Sequence, residues 1–371
     1  MEVWMKVAVI GGGVIGVSCA HQLVKAGAEV TLFTEDMWAS QASGRSLSWL
    51  NASGCWPESY YLLRMAGIAR YQTLYHRLSP IDWLKFSGGV FWSRPEEVVE
   101  WHKAETDHGY QSELLNDPQQ LMTIEALVNP QAVNGAALFN PGEGWVSLPE
   151  LIHTLLAEFT ALGGETVQHA GKVLPSADME GRICGVITPE DGLLPFDRVL
   201  VACGAETPAV VGSLGYSLPD GSVLSMLAIS EPADILPDKV FNTPRVALRP
   251  NPGHTLALDH SWYVEDIRQQ DDGSFTVSPQ IPARLLEEAD RILSLGTPLK
   301  VASYKAGRKP VPADGFPVLG ELPGFPGCYI AFTHSGATLA LIIGELLAGE
   351  MVTGKRHPML ADFRPERFNQ E

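Results

Sequence analysis

The chain has 371 residues, 45 % of them hydrophobic, with 26 basic against 43 acidic side chains, a net charge of −17 and a pI near 5.0. That length suits two domains with sizeable cores, and the acidic balance, with no basic stripe, excludes a nucleic-acid partner and reads as a solubility feature. The five cysteines (Cys19, Cys55, Cys184, Cys203, Cys328) are scattered and form no C-x-x-C, which excludes a disulfide framework and a zinc site.

In chain order, Met1–Met5 is too short and too acidic for a signal peptide. No stretch of the chain reaches the ~20 apolar residues of a membrane helix, so a cytoplasmic protein is expected. Lys6–Ile10 reads as a strand buried on both faces. Gly11, Gly13 and Gly16 follow at G-x-G-x-x-G spacing, Val14–Ala26 reads as a helix stopped by Gly27, and Ala28–Phe33 is a second strand. Gly11 allows the tight turn, Gly13 lets backbone approach a pyrophosphate, and Gly16 allows close helix–strand contact. The helix start, including Val14 and Ile15, offers N–H groups and a positive dipole end to phosphate. With strand, helix and second strand around it, the motif points to a dinucleotide. The ribose acceptor after the second strand is open between Thr34 and Glu35.

Trp38–Asn51 is rich in small residues, as suits a loop lying close to a flat ligand. Arg45 within it can pair with a phosphate or a substrate carboxylate, or be a plain loop arginine. Val-Ile-Gly-Gly-Gly-Val-Ile-Gly (9–16) followed by Ala-Ser-Gly-Arg-Ser (42–46) resembles the amino half of the D-amino acid oxidase/glycine oxidase family of FAD enzymes, which includes D-amino acid dehydrogenases and sarcosine-oxidase-like proteins. The resemblance implies that Ala42, Ser43, Leu47, Ser48 and Trp49 run along the cofactor to the isoalloxazine. It favours FAD over NAD(P).

Tyr60–Leu78 carries apolar residues at helical spacing; Gly89–Trp92 reads as a strand, Pro95–Gly109 as a polar helix, and Asp117–Pro118 as the start of another. His102, Glu105 and His108 read as a solvated helix face rather than metal ligands. Ser147–Glu150 is a capping box opening a helix whose stripe (Leu151, Ile152, Leu155, Leu156, Phe159) is closed by Gly163. Glu165–Leu174 and Arg182–Thr188 alternate like antiparallel strands, with a turn at Asp191-Gly192 and a buried strand at Asp197–Cys203. By the resemblance this is a β-meander, in which Val173 touches adenine and Cys203-Gly204 pass the cofactor. The family's tryptophan two residues later is Glu206 here.

Residues 219–304 read as strands (Val223–Ile229, Arg245–Leu248, Thr255–Asp259, Phe275–Val277) and a helix, Pro282–Gly296. Arg249, His254, His260, Trp262 and Tyr263 fall on strand ends, as sheet residues or as a pocket wall. Ala306–Gly320 resembles the family's G-x-R-P-x-x-x-D-G-x-P-x-x-G segment, whose arginine binds the substrate carboxylate; Lys309 takes that position, with Arg308 before it. A lysine is a point charge and cannot grip a carboxylate bidentately. Phe332–Leu347 reads as a strand end, a glycine turn and a helix, and is similar to the family's last FAD-binding turn. There Ser335, Gly336, Ala337 and Thr338 would offer N–H groups to charge on the reduced ring, with His334 at the mouth or as a capping residue.

The expectation is therefore an α/β protein: a Rossmann-like FAD-binding domain with a β-meander (1–80, 142–218, 305–371) and an α+β substrate domain with a largely antiparallel sheet (81–141, 219–304). The resemblance implies FAD held non-covalently and oxidation of the C–N bond of a small amino or imino acid, with dioxygen or a carrier as electron acceptor. Lys309, Arg45, Arg308 and His334 are the catalytic candidates. The alternatives are a flavin-binding subunit or dehydrogenase passing electrons to a quinone or carrier within a larger complex, and an NAD(P)-linked reductase. The oligomeric state is left open.

Overall fold

A computed structural model describes residues 5–368, so the expectation about a signal peptide at Met1–Met5 falls mostly outside the described residues. The chain divides into two compact units: Met1–Gly44, Leu148–Val223 and Arg308–Glu371 form the first; Arg45–Ser147 and Leu224–Gly307 form the second. The first boundary falls at Gly44/Arg45, so the helix Glu58–Leu78 belongs to the second unit.

The first unit is built on a six-stranded sheet in the order 318–321, 328–332, 198–201, 6–10, 29–33, 165–167. All neighbours are parallel except the edge pair Val318–Glu321 with Cys328–Phe332. Val7–Ile10 is buried on both faces, as a central parallel strand must be. Ala8, Ile10, Phe33, Val199 and Val201, at alternate positions, share one core with Val173, Ile183 and Val186 of the meander region. Val14–Lys25 packs against Leu148–Ala161 and against Gly336–Thr353.

The stretch expected as one antiparallel strand, Glu165–Leu174, is two. Glu165–Val167 extends the parallel sheet beside Glu29–Phe33, and Leu174–Ala177 opens the three-stranded meander with Ile183–Thr188 and Gly192–Pro195. All three residues of Glu165–Val167 are exposed, so they carry no burial pattern to betray their partner. Gly336–Thr353, 18 residues long, meets the length and composition of a bilayer-crossing helix, but two-thirds (67 %) of it is buried, as in the core helix of a folded domain.

The second unit is built on an eight-stranded sheet in the order 301–309, 223–230, 255–259, 247–251, 240–242, 89–91, 137–140, 113–115. It is largely antiparallel, with one parallel junction between Val240–Asn242 and Gly89–Phe91. Val246, Leu248, Leu256 and Leu258 face a core shared with Leu285, Leu286 and Ala289 of the helix Gln280–Ile292. The alternate residues Ala247, Arg249 and Ala257 therefore lie on the opposite face. A small sheet, 49–50, 144–146 and 84–85, pairs Trp49 with Trp145, and a two-stranded one joins 268–269 to 275–276.

Candidate functional site

In the first unit the glycine turn has the geometry that its spacing requires. Gly11 adopts φ +131°, and a Cβ there would stand 2.2 Å from the Ala202 carbonyl oxygen. A Cβ at Gly16 would stand 2.0 Å from the Gly11 carbonyl oxygen, so strand and helix meet only because both residues lack side chains. Gly13 caps the helix with no side-chain cap of its own, and Ser43 Oγ accepts from Val14 N at 3.0 Å. The ribose position is divided by the same turn. Thr34 is buried, with its Oγ1 only 2.3 Å from where a Gly12 Cβ would be, whereas Glu35 is exposed just beyond it.

A second helix start lies beside the first. A Cβ on Gly336 would come 3.8 Å from Ile15 Cγ1, and one on Gly344 would come 2.5 Å from Ser18 Oγ. Glycine at 344 thus lets the two helices cross closely, and their N-termini open side by side. Two positive dipole ends fit a ligand with a pyrophosphate and a second anionic group. Ser335 N donates to Thr333 Oγ1 (3.2 Å), Thr338 is buried, and His334 is exposed on the turn. Cys203, half-buried, lies with Sγ 3.3 Å from the Ile10 carbonyl oxygen, and burial pushes its thiol up to about 12; Gly204 follows at φ +56°. Val173 is buried in the core that also holds Phe33.

The cations expected near a substrate carboxylate differ in their partners. Arg308 donates from Nη1 to Glu206 Oε1 (2.8 Å) and from Nη2 to Asp220 Oδ2 (2.6 Å), which explains the glutamate at 206. Lys309, next in the chain and half-buried, has no acid within ion-pair distance among the described residues. In the second unit, the Arg45 guanidinium lies against the backbone of Gly307, with Cζ 2.3 Å from where a Cβ would be, and its burial lowers the pKa. The glycine of the Gly-Arg-Lys-Pro segment is thus a seat for Arg45.

The loop residues Leu47, Ser48 and Trp49 also belong to the second unit, where a buried polar network anchors them. Ser48 adopts φ +56°, held by its own bonds to Ser46. Trp49 Nε1 donates to Glu143 Oε2 at 2.7 Å, and Tyr110 Oη donates to Glu143 Oε1 at 2.7 Å. Glu143 is fully buried, which pushes its carboxyl well above the usual range; the bonds from Tyr110 and Trp49 oppose this, and nearby Glu105 adds to it. Tyr110 is raised too, by burial and by the Glu143 charge.

Glu105 corrects the reading of a solvated helix face. It is 1 % exposed and accepts from Ser53 Oγ (2.5 Å), Gly54 N (3.2 Å) and Asn140 Nδ2 (2.8 Å). His108 stacks on Tyr61 with ring centroids 4.6 Å apart. Sequence reasoning missed Glu143, Tyr110 and Asn140; the one local signal was an acid between two glycines, Gly142-Glu143-Gly144. Among the strand-end residues, Tyr263 Oη donates to Met226 O and Asp259 Oδ1, and the Trp262 ring carries the guanidinium groups of Arg245 and Arg284 at 4.8 and 5.0 Å from its centre. Arg249 is buried, and burial pushes it down to about 9.

The family profile DAO, FAD dependent oxidoreductase, matches residues 6–350. An opine oxidase chain of Agrobacterium tumefaciens is 24 % identical over 383 residues, covering 99 % of this chain and 98 % of that protein. Glycine oxidase of Pseudomonas aeruginosa is 26 % identical over 378 residues, covering 96 % of each. Among solved structures, glycine oxidase from Geobacillus kaustophilus superposes with a TM-score of 0.81 at 22 % identity, covering 98 % of this chain and 99 % of that one, a likeness of fold.

Proposed function

Because the chain belongs to the DAO family of FAD dependent oxidoreductases, we propose that it oxidises the C–N bond of a small amino or imino acid. The observation that carries this reading is the pair of helix starts at Val14 and Gly336, side by side around a glycine turn that admits a dinucleotide. Relatives named glycine oxidase and opine oxidase support the amine substrate class.

In this reading Gly13, Val14 and Ile15 present backbone to the pyrophosphate and Ser43 shares the helix cap. Glu35 is the ribose acceptor, since Thr34 is turned inward under Gly12. The start of Gly336–Thr353 presents its positive dipole end to negative charge that grows as electrons arrive, a preorganised arrangement that needs no movement during reaction. FAD, when bound, supplies the acceptor for the hydride leaving the substrate α-carbon. The imine so formed hydrolyses in water.

Lys309 holds the substrate carboxylate as a point charge, and His334 shapes the substrate end. Arg308 acts from behind, clamped to Glu206 and Asp220. No cysteine stands in the Ala302–Ala306 segment before Gly307, so the flavin is released by acid denaturation. The electron acceptor is dioxygen or a carrier, and the location cytoplasmic.

The test is anaerobic bleaching of the flavin by glycine, sarcosine, D- and L-amino acids and N-carboxyalkyl amino acids. Bleaching by at least one class is expected, with hydrogen peroxide released on admitting air if dioxygen is the acceptor. A flavin that stays oxidised against the whole panel removes the amine reading. Lys309→Ala is expected to raise KM while FAD stays bound, and an unchanged KM removes Lys309 from the site.

A further inference from the structure

The second unit contains a buried cation that no acid balances. Arg249, on the strand Ala247–Asn251, is 3 % exposed, and no carboxylate among the described residues lies within ion-pair distance of it. Its guanidinium is nonetheless fixed. Nε donates to the Leu47 carbonyl, and Nη1 donates to the Pro250 carbonyl (2.7 Å) and to Asn251 Oδ1 (2.9 Å). Asn251 is itself tied to Thr255 Oγ1 (3.0 Å). The Nε and Nη1 donors thus have acceptors, and Nη2 meets none among the described residues.

A second orphan donor lies beside it. The Arg249 Cζ stands 5.2 Å from the centre of the Trp145 ring, and Trp145 Nε1 is sealed from water with no hydrogen-bond partner. Buried indole N–H groups ordinarily find an acceptor, and a buried guanidinium ordinarily finds an acid. Here both are missing at one place. The register opposes Ala257 to Arg249, so the neighbouring strand adds only a methyl group on that face. Everything absent from the cluster is supplied by one small anion: negative charge and two acceptor atoms.

We propose that Arg249 and Trp145 form a seat for a second carboxylate of the substrate, distinct from the one that Lys309 holds, with one oxygen accepting from Nη2 and the other from the indole Nε1. The proposal rests on the amino acid reading above and names a recognition element that the family-like segment at Lys309 does not include. Leu47, whose carbonyl holds Arg249 Nε, is a residue of the loop that the resemblance assigns to the flavin, so the seat is tied to that loop.

The test uses the FAD-loaded protein and sodium acetate as probe, with acetamide as the neutral isostere and sodium chloride at equal ionic strength. Acetate is expected to raise the thermal midpoint in a saturable way, as a ligand of the native state must, while acetamide and chloride do not. Trp145→Phe keeps the ring face and removes only the N–H, so it tests the seat without a large cavity. It is expected to weaken acetate about tenfold, the usual worth of one hydrogen bond to a charged group. Arg249→Lys, which keeps the charge but loses the fork, is expected to weaken it further, and both variants are expected to raise KM for the bleaching substrate with kcat little changed. Acetate affinity unchanged in both variants overturns the proposal, and so does a loss of FAD from both with no change in acetate affinity. If acetate binding depends on the pair while no amino acid bleaches the wild type, the seat stands and the amine reading falls. If bleaching occurs and KM ignores both substitutions, the seat falls and the amine reading stands.

Discussion

Glu143→Gln tests how the loop bearing Trp49 is held. The wild-type carboxyl is fully buried, accepts Trp49 Nε1 and Tyr110 Oη at 2.7 Å each, and shares its network with Glu105. Burial raises its folded-state pKa well above the unfolded value, so the protonated form is the one the fold favours. The sign follows from linkage: the unfolded chain releases this proton at lower pH than the native one, so stability is full below the unfolded pKa of about 4.3 and falls as pH rises toward the folded pKa. The slope for one such group is at most about 1.4 kcal/mol per pH unit. Glutamine keeps an acceptor for the indole N–H but faces Tyr110 with an amide donor, a fixed cost of about 1 kcal/mol. Urea unfolding curves at pH 5, 6 and 7 are therefore expected to show the variant gaining on the wild type as pH rises above the unfolded pKa. Parallel profiles refute the reasoning, because a carboxyl that is ionised in both states over this range contributes no slope.

Three further outcomes follow from single contacts. Gly16→Ala places a Cβ 2.0 Å from the Gly11 carbonyl oxygen, backbone against backbone, and is expected to lose FAD, read as the ratio of flavin to protein absorbance. Arg364→Met strips the partner from Glu350, which is 3 % exposed and bonded to Arg364 through both oxygens (2.7 and 2.5 Å); stranding that charge costs about 3–5 kcal/mol and lowers the thermal midpoint. Glu35→Gln removes the exposed carboxylate beside the glycine turn and is expected to weaken FAD about tenfold in equilibrium dialysis, the worth of one charged hydrogen bond, whereas Thr34→Ser changes it little.

The strand–glycine–helix unit was legible because its determinants are local. Lys6–Ile10 and Val14–Lys25 fall where the apolar run and the glycine spacing put them, and the contacts Gly11–Ala202 and Gly16–Gly11 supply the reason. The split at Glu165–Leu174 was not legible, since a three-residue exposed strand carries no alternation. The network around Glu143 was hidden for another cause. Its bonds join residues 94 and 33 positions apart, and Glu105, on a helix that reads as polar, turns inward only because Ser53 and Asn140 meet it there. Arg249 carries a faint signal in retrospect, as an arginine inside the run Val246-Ala-Leu-Arg, but which face it takes depends on the pairing with Thr255–Asp259.

The end of the strand Val301–Lys309 shows how three consecutive residues take three tasks. Gly307 leaves the space that the Arg45 guanidinium fills, and any side chain there displaces it. Arg308 spends its charge on Glu206 and Asp220, so it is a clamp on the chain and offers little to an incoming anion. Of these three residues Lys309 is thereby the cation with no acid of its own among the described residues. Side chains alternate along a strand, so position 309 faces away from the pairs that Arg308 makes with Glu206 and Asp220, and lysine there, strongly hydrated and monodentate, offers a point charge where arginine offers a fork. The independence of the two positions is measurable as a double-mutant cycle: Lys309→Arg and Glu206→Trp are expected to act additively on the thermal midpoint, and a coupling energy above about 0.5 kcal/mol would refute it.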